Sequence, residues 1–103
     1  MSDPQSKAGE GLIAVHVCIE GKVQGVWFRA WTVEQAQKRG LSGWVRNRSG
    51  GSVEAVFCGP VDCVQSMIAA CYDGPTLAKV LRVHQESTTG EGPFAGFEKR
   101  PTV

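Results

Sequence analysis

Residues 20–29 read Glu-Gly-Lys-Val-Gln-Gly-Val-Trp-Phe-Arg, and they decide the fold because the hydrophobic period changes across them. On the N-terminal side Ile13, Val15, Val17 and Ile19 alternate with Ala14, His16 and Cys18, the period-two signature of a strand with one buried face. On the C-terminal side Phe28, Thr32 and Ala36, flanked by Trp31 and Val33, recur at helical spacing, and Gly40 supplies a left-handed stop. The junction is a glycine-punctuated loop. Gly21 and Gly25 allow positive φ and close backbone approach, so that successive N–H groups converge on one anion. The helix that follows adds its positive end. Arg29, in the first helical turn, offers a planar fork of donors that fits two phosphate oxygens at once. The stretch therefore predicts a strand, an anion-binding loop and a helix in succession.

Further along, residues 41–48 and 52–58 are β-favouring runs separated by Ser49-Gly50-Gly51, which reads as a hairpin turn. Gly59-Pro60 punctuates the chain, Pro60 being acceptable in a first helical turn, and Val61, Val64, Met67, Ile68 and Cys71 mark the apolar stripe of a second helix. Asp73-Gly74-Pro75 ends it, and residues 78–86 follow as a strand with Leu81 and Val83 expected on one face. Residues 88–95 read as a loop. Residues 97–100 read as a short closing strand that Pro101 confines to an edge. The order strand, helix, strand, strand, helix, strand is an α+β, ferredoxin-like split βαβ sandwich (βαββαβ, with a short fifth strand). Two helices pack on one face of the sheet, and the other face is expected to be solvated. In this arrangement the first and second strands run the same way, so Asn47, toward the end of the second, approaches the anion loop. Residues 1–10 read as a flexible leader and 11–103 as the domain.

The 103 residues suit one domain. Eleven basic against ten acidic residues give a net charge of +1, which argues against non-specific nucleic-acid binding, so any anion site must be local. Trp27, Trp31 and Trp44 with Lys22, Arg46 and Arg48 do not form the basic-Gly-aromatic signature of an RNA-binding sheet, and Trp44 is expected to pack beside the site. The apolar runs are too short to span a bilayer, and the polar start lacks a secretory pattern, which predicts a cytoplasmic chain. Cys18, Cys58, Cys63 and Cys71 are then expected as free, buried thiols. No Cys-x-x-Cys pair occurs, and neither His16 nor His84 stands at metal-ligand spacing from a cysteine, so no metal is expected. Both histidines fall on strand positions facing away from the apolar face and read as surface residues.

The blocks Gly21-Lys-Val-Gln-Gly-Val-Trp-Phe-Arg29, Gly43-Trp-Val-Arg-Asn47 and Gly51-Ser-Val-Glu54 closely resemble the acylphosphatase family. The likeness extends in order from about Ile13 to Phe97. It departs at the end, where Phe97-Glu-Lys-Arg100-Pro-Thr-Val stands in place of the common Phe-x-x-basic-Tyr finish. The resemblance implies hydrolysis of the carboxyl–phosphate bond of a small-molecule acyl phosphate to a carboxylate and inorganic phosphate, without metal or organic cofactor. It also implies roles residue by residue. Arg29 matches the arginine that binds the phosphate, and Asn47 matches the asparagine that orients the attacking water. Lys22, Val23, Gln24, Gly25 and Val26 match the cradle whose backbone N–H groups contact the phosphate, with Gly21 shaping its entry.

This chemistry needs no dedicated base, because the leaving group is a carboxylate and an oxygen of the substrate phosphate can take the proton of the water. A Gly-x-x-x-x-Gly-Lys-Ser/Thr loop is absent, which disfavours a nucleoside-triphosphate site. The alternative reading is a non-catalytic anion-binding or RNA-binding module that keeps the fold. A domain of a larger carbamoyl-transfer system is disfavoured by the lack of a zinc-finger cysteine pattern. The small, near-neutral chain is expected to be a monomer.

Overall fold

Alternation at Val15, Val17 and Ile19 produces the longest strand, β1 (Leu12–Lys22), whose three alternate side chains are buried while those between them are only partly covered. In the computed structural model, residues 12–88 and 94–103 are described, and the leader expected at 1–10 lies outside them, as does most of the loop expected at 88–95. After β1 come α1 (Phe28–Lys38), β2 (Ser42–Asn47), β3 (Val53–Pro60), α2 (Val61–Asp73), β4 (Lys79–Ser87) and β5 (Phe97–Lys99). The five strands form one sheet in the order β4-β1-β3-β2-β5. Neighbours are antiparallel except β2 and β5, which are parallel. This is the expected split βαβ architecture, with the short fifth strand at an edge.

Both helices bury the predicted stripes against one face of the sheet. Phe28, Thr32 and Ala36 are buried on α1, and Val64, Met67, Ile68 and Cys71 on α2. The Thr32 hydroxyl donates to the Phe28 carbonyl at 2.8 Å, which satisfies a polar group that packing has cut off from water. Val53, Ala55 and Phe57 of β3 meet Val45 of β2 and Phe97 of β5 in the same core, where the Phe57 and Phe97 rings stack at 5.6 Å. Each large side chain buried this way stabilises the fold by about 1.5–3 kcal/mol.

Register positions the end of β2. Ile19 pairs with Val53, and Val53 pairs on its other side with Asn47, so the three form one row across the sheet on the helix-facing side. The C-terminal ends of β1 and β2 therefore meet at one edge, next to the N-terminus of α1.

Four expectations need correction. Pro60 is the last residue of β3, paired with Leu12, and caps α2 from an extended conformation (φ −60°, ψ 144°) instead of lying in its first turn. Leu81 does not share a face with Val83: a bulge opposite Glu20 and Gly21 leaves Leu81 out of the pairing, and it is 81% exposed, whereas Val80 and Val83 pack on the core. The sheet face away from the helices is not simply solvated, because Trp44, Glu54 and Val56 are buried there by their neighbours' side chains. The four cysteines are free, but only Cys71 is buried. Burial pushes the Cys71 thiol up to about 12, partly opposed by Arg39, so it stays protonated and inert.

Candidate active site

Between β1 and α1 the chain is held by its own valines. Val23 and Val26 are buried, so the backbone they flank is pinned against the core while Gln24, Gly25 and Trp27 face outward. Gly25 takes φ 76°, and Trp27 takes φ 67°, ψ 23°, the left-handed region that an aromatic residue rarely enters. Among the described residues Trp27 is the sole non-glycine residue at positive φ. Backbone strain of this kind, of order 1–3 kcal/mol, persists where the surroundings over-determine the conformation and is concentrated at functional sites.

Trp27 is also the N-cap of α1, and no side chain accepts from the first-turn N–H groups, nor does that turn carry an acidic residue. The helix thus begins with unpartnered donors and an uncompensated positive end. Beside it lies a cleft of about 290 Å³ lined by Val23, Gln24, Gly25, Trp27, Phe28, Arg29, Ala30, Asn47 and Lys99. Among the described residues two cations line it and no carboxylate does. Among the described residues neither Arg29 nor Lys99 has an acidic partner within ion-pair distance.

Of the residues singled out from the sequence, Val23, Gln24, Gly25, Arg29 and Asn47 come together around this cleft. Lys22 does not line it: exposed, it ends β1 opposite Lys79. Val26 is turned into the core. Gly21 does not line it either: it lies in β1 opposite Val80 at φ 130°, where a Cβ would overlap the Lys79 carbonyl oxygen and come within 2.8 Å of the Leu81 nitrogen.

The Gln24 side chain has a contact that sequence reasoning missed. Its Nε2 donates to the Arg48 carbonyl at 2.7 Å and to the Ser52 carbonyl at 2.8 Å, tying the loop to the β2–β3 hairpin just beyond Asn47. The chain after β5 holds the same hairpin end. The Val103 N–H donates to the Asn47 carbonyl at 3.2 Å, and the Ser49 N–H donates to the Val103 oxygen at 2.7 Å. Lys99 was also missed, since only the parallel pairing of β5 with β2 brings it to the cleft.

On the opposite face of the sheet a separate polar cluster surrounds Glu54. His16 Nε2 donates to Glu54 Oε2 at 2.6 Å, Arg46 Nε donates to Oε1 at 2.7 Å, and Arg48 Nη1 lies 3.2 Å from Oε1. Burial alone would raise the carboxyl, but the bonds from His16, Arg46 and Arg48 outweigh it and hold Glu54 down to about 2. Trp44 lies on this same face, not beside the cleft: its register alternates with that of Asn47, and the Arg46 and Arg100 guanidiniums cover its ring at 4.6 and 5.0 Å. His84, 3.5 Å from Glu20, is exposed and does not line the cleft.

An uncapped helix start, a loop pinned by two buried valines, an arginine without an acidic partner among the described residues, and an amide can together bind a phosphoryl group and leave one polar group to direct a water. Residues 15–99 match the family model described as Acylphosphatase. The chain is 55% identical over 91 residues to an acylphosphatase of Rhizorhabdus wittichii, covering 88% of this chain and 91% of that one. It is 49% identical over 89 residues to one of Rhodospirillum rubrum, covering 84% and 94%. Among solved structures, an acylphosphatase from Coxiella burnetii superposes with a TM-score of 0.86 at 35% identity, covering 92% of this chain and 99% of that one. With the family pattern running through nearly every element of the sheet and both helices, the chain belongs to the acylphosphatase family.

Proposed function

We propose that this chain hydrolyses the carboxyl–phosphate bond of acyl phosphates with Arg29 and the backbone of residues 22–26 holding the phosphoryl group and Asn47 orienting the attacking water. The observation that carries the reading is that an uncapped α1 N-terminus lies beside Arg29, which has no acidic partner among the described residues, on the wall that Asn47 completes. The oxygen of the water bonds to phosphorus, and the bond from phosphorus to the acyl oxygen breaks. The electron pair leaves with the carboxylate, and the proton passes to a phosphate oxygen. Asn47 directs the water without taking its proton. Arg29 and the N–H groups stabilise charge on the equatorial oxygens, where each preorganised donor contributes about 3–4 kcal/mol to lowering the barrier. The net charge of +1, with no strongly basic field, supports action on a small molecule and not on nucleic acid, and the free thiols fit a cytoplasmic chain, which we take to act as a monomer.

The test is phosphate release from acetyl phosphate by the purified chain in the presence of a chelator. The expected result is turnover that the chelator does not diminish and that Arg29→Ala lowers at least about 100-fold. No release by the unaltered chain would favour an anion-binding module. A near-normal rate in Arg29→Ala would remove the arginine from the mechanism.

A further inference from the structure

Lys99 is the second cation on the cleft wall, and the hydrolytic mechanism above does not use it. β5 pairs Phe97 with Gly43 and Lys99 with Val45 in parallel register. Lys99 therefore shares the helix-facing side with Phe97, with Val45 and, one pair further along β2, with Asn47. Phe97 enters the core, whereas Lys99 comes out at the cleft. Its neighbours Glu98 and Arg100 pair with each other at 2.8 Å, but among the described residues no carboxylate meets Lys99 itself. The cleft wall thus carries an unneutralised charge beyond the one that Arg29 directs at a phosphoryl group. At about 290 Å³ the cleft approaches the size of a small-molecule pocket, larger than an oxyanion alone requires. Trp27, 78% exposed on the same wall, gives the intervening part of a ligand an apolar surface.

We propose that Lys99 forms a second anion subsite, one that selects acyl phosphates whose acyl group carries a carboxylate of its own. This rests on the acyl phosphate reading above and names the substrate class of the same cleft. A ligand with one anion at Arg29 and another at Lys99 uses both charges, whereas a neutral acyl group leaves the ammonium solvated. Because Lys99 is exposed, the gain is modest and falls with added salt.

The test compares kcat/KM for 3- and 4-carboxybenzoyl phosphate with that for 3- and 4-methylbenzoyl phosphate. These rigid pairs differ at one substituent, and comparing their ratio between variants cancels their intrinsic reactivities. The expected result is a carboxylate preference of roughly two- to fivefold at low ionic strength for at least one isomer, reduced by salt. Lys99→Arg should retain it, Lys99→Met should lower the ratio by that same factor, and Lys99→Glu should lower it further. Lys38→Met makes the same change in net charge in the last turn of α1 and should keep the original ratio. An unchanged ratio in Lys99→Met, or an equal loss in Lys38→Met, would overturn the subsite. Failure of the unaltered chain to hydrolyse any of the four compounds would overturn the acyl phosphate reading instead.

Discussion

Asn47 and Arg29 stand eighteen positions apart and meet because β1 and β2 end at the same edge of the sheet. If Asn47 directs water, Asn47→Ala lowers kcat by about 100- to 1,000-fold while inorganic phosphate still inhibits at a similar concentration. Phosphate inhibition and turnover measured on the same preparation separate the two effects, and near-normal kcat would remove the assigned role. Gln24 acts at one remove. Replacing it with Leu deletes both bonds to the hairpin, which is expected to cost about 1–2 kcal/mol in chemical denaturation and to weaken phosphate inhibition. Unaltered inhibition would show that the loop keeps its shape without the tie. That Arg29 and Asn47 come to one cleft was legible in the sequence because their surrounding motifs are selective. The Gln24 side chain was not, since its partners are backbone carbonyls 24 and 28 positions away, which no side-chain pattern encodes.

The same limit governs the elements. Period-two alternation announced β1, and the stripes ending at Ala36 and Cys71 announced both helices, because each of these signals is local to one segment. The bulge in β4 was invisible because it belongs to a pair of strands: Leu81 is expelled only where β4 passes Gly21. That passage leaves no room for a side chain at Gly21. Gly21→Val is therefore expected to lower stability by more than about 2 kcal/mol, through backbone overlap with β4 and the strain of φ 130°. A midpoint of denaturation within error of the unaltered chain would contradict this account. The parallel union of β5 with β2 was likewise hidden, although it decides where Lys99 emerges.

Across the whole molecule, helices cover one face of the sheet and the other face covers part of itself. Arg46 and Arg100 lie over Trp44, and three basic side chains enclose Glu54. A folded carboxyl drawn down to about 2 from an ordinary 4.5 stabilises the fold fully above pH 4.5, and that contribution fades as the pH falls toward 2. Its size is on the order of 3 kcal/mol. Glu54→Gln should accordingly be less stable than the unaltered chain at pH 7 and approach it near pH 2, as urea denaturation across that range would reveal. A stability gap independent of pH would contradict the linkage. The cleft, for its part, draws on residues 23–25 and 27–30, Asn47 and Lys99, so no fragment of the chain owns it. On the proposed function its ligand recognises only the assembled domain, so that phosphate would report completed folding. At 100 times its dissociation constant it would add about 2.7 kcal/mol to stability. A cell's phosphate pool would then protect the finished protein while leaving partly folded chains open to proteolysis.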